Sequence, residues 1–370
     1  MSLFSELEQV VTINSDTANK TGVDAVGAFF CSRFAELGYQ ACRHPRTAIG
    51  DHWHHRAPVV PGQKVLLLGH LDTVDPPGSS PSPSFRMDER WVYGPGVCDM
   101  KGGIIVMLEA LRAVRSAVGG VCNVDVLLVA DEETGSGDAR NLIRDLAPEY
   151  DVCLVFEAAG KGGEVVVGRK GVGTFTLHVT GVAAHAGNDQ ALGVCANTLA
   201  ARALLDLIKL ADPERQTTLN VGRMQGGIGA NTVSPAASLL FELRYARPDE
   251  KDRLLRSIDR LVTNPSLAPG RLVLGGGIQR ELFEPDARQG RLLAALRVIT
   301  GDPLPTERRG GVSDANLTHA AGVVTLDGFG PFGEGDHTPR ERALKASFVQ
   351  RIALVARLIE HHQRQGYRLL

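Results

Sequence analysis

The chain has 370 residues, 43% of them hydrophobic and 22% charged, which is length and apolar content enough for two domains with cores of their own. A formal net charge of -2, with no cluster of Lys and Arg, speaks against nucleic acid as a partner, because phosphate backbones are held by grouped cations. No apolar run approaches membrane-spanning length, and the start, Met1-Ser2-Leu3-Phe4-Ser5-Glu6, lacks the basic and apolar regions of a secretory signal, so no membrane partner and a cytoplasmic location are expected.

Residues 23–37 carry apolar side chains at helical spacing (Val26, Phe29, Phe30, Phe34, Leu37) and stop at Gly38, which predicts a helix. The stretch from His44 to His55 has four histidines, His44, His52, His54 and His55, around a tryptophan and without strand or helix period. A solvated loop is preferred there over a metal site. Residues 65–68 then predict a buried strand that emerges at Gly69-His70-Leu71-Asp72. Residues 76–81, rich in Pro and Ser, read as an exposed loop. A glycine-rich loop over 94–103 opens onto a buried helix from Ile104 to Leu111. Further apolar strands, 124–129 and 152–156, lead into Asp131-Glu132-Glu133 and Glu157. Strand, loop, helix, strand is the rhythm of a parallel sheet, whose ligands gather at the carboxyl ends of its strands.

Near Gly171 the pattern changes. Phe175, Leu177 and Val179 alternate, a helix is predicted over 194–210, strands over 218–221 and 238–245, a charged helix over 248–262 and a strand over 271–274. Two strand-helix-strand passes predict a smaller α+β domain with a largely antiparallel sheet, placed at 171–282. A helix at 290–299, a strand at 322–326 and a helix at 343–363 return the chain to the first domain, which comprises 1–170 and 283–370. The expected fold class is therefore α/β: a mostly parallel sheet flanked by helices, with an inserted smaller α+β domain.

The six cysteines, Cys31, Cys42, Cys98, Cys122, Cys153 and Cys195, include no CxxC pair and are expected to be buried, reduced thiols. Cys98, beside Asp99, could instead be a thiolate ligand or nucleophile, though no histidine lies near it in sequence to activate it.

The acids and imidazoles at the strand ends carry the chemistry. His70 and Asp72, two apart at a strand end, place a carboxylate where it can hold the second ring nitrogen of a ligating histidine. Alone, the pair reads equally well as a satisfied histidine and a turn-forming aspartate. Glu132 and Glu133 are adjacent and in extended chain would face opposite ways, one toward a metal and the other toward the attacking water, as hydrolysis requires. A solvated acidic turn is the plainer reading, weakened by the apolar strand immediately before. Glu157 ends a third apolar strand, and His337 lies in a loop, 328–337, whose glycines would allow close backbone approach to a ligand. Two histidines and three carboxylates, one of them bridging, fill two zinc sites and leave a position for water; imidazole favours zinc over magnesium. No P-loop and no GxSxG elbow is present in the sequence.

The blocks Gly69-His70-Leu71-Asp72-Thr73-Val74, residues 94–103, Asp131-Glu132-Glu133-Thr134-Gly135-Ser136 and Gly181-Val182-Ala183-Ala184-His185-Ala186-Gly187 resemble, in order and spacing, the M20 family of metallopeptidases and deacylases. Residues 230–235 and 243–247 point within it to the glutamate carboxypeptidase (carboxypeptidase G2) branch. The resemblance implies that His70, Asp99 and Glu157 bind one zinc and that Asp99, Glu133 and His337 bind the other, with Asp99 bridging; cobalt or manganese could substitute. It makes Glu132 the general base and Asp72 the orienter of His70, and it implies a cis peptide at Asp99-Met100. The smaller domain becomes a lid and dimerisation surface of a homodimer, His185 reaching the partner subunit's active site to stabilise the oxyanion. Asn231, Arg244 and, by a looser match, Arg280 would hold the substrate's carboxylate, with Gly310 and Gly311 beside the leaving-group pocket. The expected substrate is a small peptide or N-acyl amino acid, and the expected reaction is release of a C-terminal amino acid such as glutamate. An N-acyl-amino-acid deacylase of the acetylornithine deacetylase or aminoacylase type is the alternative. An aminopeptidase is disfavoured, because Glu157 stands where such members tend to have aspartate.

Overall fold

A computed structural model describes residues 3–75, 84–264, 270–366 and 368–369. Met1, Ser2 and the segment 76–81, read above as an exposed loop, lie outside the described residues. The chain divides into two compact units: Met1–Gly168, Phe283–Arg309 and Ser313–Leu370 form the first, Arg169–Leu282 and Gly310–Val312 the second. Gly310 and Gly311, placed by sequence in the larger domain, belong to the smaller unit for a local reason. The Gly310 carbonyl accepts from Arg244 Nη1 at 2.9 Å and the Gly311 carbonyl from Arg169 Nη1 at 3.1 Å.

In the larger unit a six-stranded sheet runs in the order Gln40–His44, His52–Arg56, Val124–Val129, Val65–His70, Val152–Val155, Val324–Leu326. The last four are mutually parallel, and the first two form an antiparallel hairpin on one edge. The parallel strands read as largely apolar runs, interrupted by buried Asp125 and Thr325, because both faces are covered. Val65 and Leu67 enter one core with the helices Lys101–Val118 and Lys345–Arg364. Leu66 and Leu68 enter another with the helix Ala139–Leu146. Truncating one such side chain, Leu67→Ala for instance, costs about 2–5 kcal/mol.

The histidine-rich stretch is the main correction. His52, His54 and His55 are buried in the edge hairpin, where a loop was expected. A neutral imidazole packs as an aromatic: the His55 ring lies 4.8 Å from that of Phe34 and stacks at 6.2 Å on Trp53. Burial, reinforced by His54, pushes the His55 pKa down to about 3. His54 Nε2 meets the Tyr150 hydroxyl at 2.7 Å, and His52 Nδ1 accepts from the Ala130 amide at 3.0 Å. The cysteines are all free, but only Cys98 and Cys153 are buried, while Cys42 is exposed.

The smaller unit has a four-stranded antiparallel sheet in the order Thr218–Gly226, Ala236–Tyr245, Gly171–Thr180, Arg271–Arg280, with the helices Ala196–Ile208 and Pro248–Val262 closing its core. Its last strand is longer than predicted. Gly275, Gly276 and Gly277 hide its apolar alternation, yet they continue to pair with Thr176, Phe175 and Thr174, since pairing needs only the backbone. Among the described residues no helix is long and apolar enough to cross a membrane.

Candidate active site

The ligand candidates other than His337 sit at or near the end of a buried strand or the start of a buried helix of the larger unit. His70 is the last residue of the Val65–His70 strand, Asp99 closes the loop before the Lys101–Val118 helix, and Glu157 follows the Val152–Val155 strand. Glu132 and Glu133 begin a 3-10 turn, Glu132–Thr134, after the Val124–Val129 strand, so they are not in extended chain as expected. The turn is set by Asp72, whose carboxylate accepts the Glu132 amide and the Glu133 amide, each at 3.2 Å. His337 has φ of 58°, a left-handed conformation that few residues with a Cβ adopt.

Two groups form. The ligand atoms of His70, Asp99 and Glu157 lie within 4.8 Å of one another, as do those of Asp99, Glu133 and His337. Asp99 offers one oxygen to each group: Oδ1 is 3.1 Å from His70 Nε2 and Oδ2 is 3.2 Å from His337 Nε2. His70 Nε2 is 3.7 Å from Glu157 Oε1, and His337 Nε2 is 3.1 Å from Glu133 Oε2. Ligands about 2.1 Å from a tetrahedral ion stand about 3.4 Å from each other, so these separations suit the edges of two coordination shells sharing Asp99. The peptide bond from Asp99 to Met100 is cis.

The charges also fit a cation pair. Burial opposes ionisation of Asp99, but hydrogen bonds from His337 and His70 outweigh it and hold its carboxyl well below the usual range. Burial, then the Asp99 charge, pushes Glu157 well above its ordinary value. Burial raises Glu133 to about 8 against the pull of His337. His337 rises to about 11 through Asp99 and Glu133, and His70 is raised by Asp72 and Asp99 against burial. The negative charge of Glu132 acts on both Glu133 and Glu157. Four carboxylates thus face two imidazoles, a deficit of positive charge that two divalent ions would remove. The residues present fit a dinuclear site of zinc type, in which imidazole and carboxylate are both suitable donors.

His70 Nδ1 lies 2.9 Å from the main-chain oxygen of Asp72 and 3.5 Å from its carboxylate. The carbonyl is therefore the nearer orienter, where the carboxylate was expected. A carbonyl only accepts, so Nδ1 carries a proton and Nε2 is the nitrogen turned toward the carboxylates. The glycines of the His337 loop approach other protein segments closely. A Cβ on Gly330 would stand 2.5 Å from the Phe156 carbonyl and 2.8 Å from that of Glu157, and one on Gly333 would overlap Cys98. Cys98 is buried, its thiol raised well above its ordinary pKa by burial and by Glu341, to which it donates; it stays a thiol and does not join either ligand group. Sequence reading missed Glu341 and Lys101, both buried: Glu341 sits among polar neighbours that suggest a solvated turn, and Lys101 is a lone cation in a glycine-rich stretch.

The remaining candidates lie in the smaller unit. His185 is exposed and bridges to Thr232, beside Asn231, whose carbonyl accepts the Ala186 amide at 3.0 Å. His185 Nδ1 accepts the amides of Gly187 at 3.2 Å and Asn188 at 3.0 Å, which leaves the hydrogen of the neutral ring on Nε2. Arg244 is held by Glu242 at 2.7 Å and by Gly310. Arg280 is 1% exposed and buried in its strand, unlike His185, Asn231 and Arg244.

Comparison with known proteins agrees. Residues 66–361 match the family described as peptidase family M20/M25/M40. Carboxypeptidase G2 of Pseudomonas sp. (strain RS-16) is 28% identical, over 97% of this chain and 88% of its own. The succinyl-diaminopimelate desuccinylase of Xanthomonas oryzae pv. oryzae (strain PXO99A) is 30% identical, over 90% of this chain and 92% of its own. The aminopeptidase PepT structure from Bacillus cereus superposes with a TM-score of 0.79 at 22% identity, covering 97% of each chain. A sequence match spanning most of the chain, on a fold shared throughout its length, makes this protein a member of the M20/M25/M40 peptidase family, a metal-dependent hydrolase.

Proposed function

We propose that the protein is a dinuclear zinc carboxypeptidase that hydrolyses an amide and releases a C-terminal amino acid, glutamate or one like it. The observation that carries the reading is the pair of ligand groups sharing Asp99, with Glu132 outside both groups but close enough to act electrostatically on Glu133 and Glu157. When bound, the metals supply Lewis acidity, polarising a carbonyl and making water a nucleophile at neutral pH. Glu132 takes the proton of the attacking water on its carboxylate and returns it to the leaving nitrogen. Asp72 fixes the turn that aims Glu132, and the Asp72 carbonyl keeps the His70 ring in register.

The smaller unit's part follows from His185. With Nδ1 engaged by two amides, Nε2–H is a preset donor for a developing oxyanion, the kind of donor whose removal costs about 3–4 kcal/mol. We place it in the active site of a partner subunit, the smaller unit serving as lid and dimer surface. The Thr218–Gly226 strand is a sheet edge, and exposed apolar side chains gather near it and on the Ala196–Ile208 helix: Met224, Ile228, Leu205 and Ile208. Asn231 and the partly exposed Arg244 are our candidates for the substrate carboxylate, with Gly310 held by Arg244 and Gly311 by Arg169, and buried Arg280 is the weaker one.

A second reading, an N-acyl-amino-acid deacylase, is favoured by the 30% identity to a desuccinylase and uses the same residues. The two differ in which side of the amide is large. Turnover of peptidyl and aroyl glutamates against N-acetyl and N-succinyl amino acids separates them. Preference for the first group by kcat/KM supports the carboxypeptidase, and preference for the second overturns it in favour of the deacylase.

A further inference from the structure

Glu341 lies four residues beyond His337, buried, with its carboxylate turned into the loop of residues 96–99. Its Oε2 accepts the Gly96 amide at 2.8 Å. Its Oε1 accepts the Cys98 amide at 2.9 Å, the Asp99 amide at 3.2 Å and the Cys98 thiol at 3.3 Å. All four donors belong to the one short loop that ends in Asp99, more than 240 residues away in sequence. The backbone of Glu341 completes the link: its amide donates to the Thr338 carbonyl at 3.1 Å, closing a turn that follows directly on the one in which the Thr338 amide donates to Gly335 across His337, and its own carbonyl accepts from Gly94 at 3.3 Å. Directly after it, Arg342 pairs with Tyr93 in an antiparallel register.

We infer that Glu341 is a positioning residue of the metal centre, one carboxylate that locks the loop bearing the shared ligand Asp99 to the loop bearing His337. The inference rests on the two-metal reading above. Two of the three ligands of the second group, Asp99 and His337, lie on segments that Glu341 joins, but only Asp99 of the first group does. Loss of the carboxylate therefore weakens the second position more than the first. Glutamine fills the same space but has a single acceptor oxygen, and its NH2 would face a backbone N–H. Aspartate keeps the charge but is one methylene too short to reach both Gly96 and Asp99.

The test is metal binding by the full-length, metal-free protein, titrated with zinc against a chromophoric chelator so that two stepwise dissociation constants are resolved. For Glu341→Gln one constant is expected to rise about 10–100-fold, the range seen when a partner of a metal ligand is removed, while the other moves less than about threefold. In a His337→Ala background, where that position has already lost a ligand, adding Glu341→Gln is expected to change little, because the two residues act on one site. Glu341→Asp is expected to fall between wild type and Glu341→Gln, and it carries the same test if the glutamine variant does not fold. Wild-type binding of both ions by Glu341→Gln, or an equal weakening of both with a lower Tm of the metal-free protein, would overturn the positioning role. A wild-type protein that binds fewer than two ions would instead overturn the two-metal reading itself, before any variant is compared.

Discussion

The carboxylate of Asp72 holds the backbone of Glu132: Oδ1 accepts its amide at 3.2 Å, while Oδ2 accepts the Glu133 amide at 3.2 Å and the Thr17 hydroxyl at 2.7 Å. The main-chain oxygen of the same residue takes His70 Nδ1. One side chain and one carbonyl thus orient a ligand from one group, a ligand from the other and the proposed base.

Replacing Asp72 by alanine removes no ligand side chain but frees the Glu132–Thr134 turn, and with it the ligand Glu133. The expected result is a kcat lower by about 10–100-fold with weaker metal binding, as for other groups that orient metal ligands. Steady-state kinetics together with metal analysis check it. A variant with wild-type kcat and metal content would show that the turn holds itself.

His185→Ala is expected to lower kcat by about 10²–10³, the cost of one oxyanion donor. Mixed dimers separate action within a subunit from action across the interface. A dimer of one His185→Ala subunit and one Glu132→Ala subunit contains one complete site if His185 serves its partner. Random mixing of equal amounts then restores about one quarter of wild-type activity. No restoration on mixing would place His185 in its own subunit's chemistry or outside catalysis.

Stability has an acid limit at His55. Its folded pKa, near 3, lies below the ordinary histidine value of 6.5, so the folded state binds fewer protons than the unfolded one. Its contribution is therefore present above about pH 6.5 and lost as pH falls from there toward 3. Between pH 7 and 5 that loss is about 2 kcal/mol at roughly 1.4 kcal/mol per unit of pKa difference. Urea unfolding of the metal-free protein is expected to be less pH-sensitive by that amount in His55→Phe. Equal slopes in the two proteins would show that His55 does not titrate on unfolding.

Metal removal is expected to lower Tm, because four carboxylates and two imidazoles are left to repel or neutralise one another. Ions at about 1,000 times their Kd add about 4 kcal/mol to the folded state. Thermal melts with and without chelator measure this, and coincident curves would speak against tight binding by the folded protein.

Strand ends were the legible part of the site. Val65, Val124 and Val152 begin apolar runs that remain strands in the structure, and His70, Glu132, Glu133 and Glu157 stand at or just past their ends. His52, His54 and His55 do not read as buried because each ring is accommodated by a partner that a count of polar residues does not register: the Ala130 amide for His52, the Tyr150 hydroxyl for His54 and the Phe34 ring for His55. Glu341 was invisible for another reason. Within His337-Thr338-Pro339-Arg340-Glu341-Arg342 it looks like part of a solvated charged run, and only the fold sets it against the amides of Gly96, Cys98 and Asp99. The turn at Glu132–Thr134 likewise depends on Asp72, a contact between residues 60 apart.

The central claim is that Glu132, and not a metal ligand, moves the proton in amide hydrolysis. Its most direct test is amino-acid release from a peptidyl or N-acyl glutamate by wild-type protein and by Glu132→Ala, both loaded with zinc to the same measured content. Release by the wild type, with the variant binding zinc and substrate as well but slower by about 10²–10⁴, is the predicted result. Equal turnover by the two proteins, or no release by the wild type from any peptide or N-acyl amino acid offered, would contradict it.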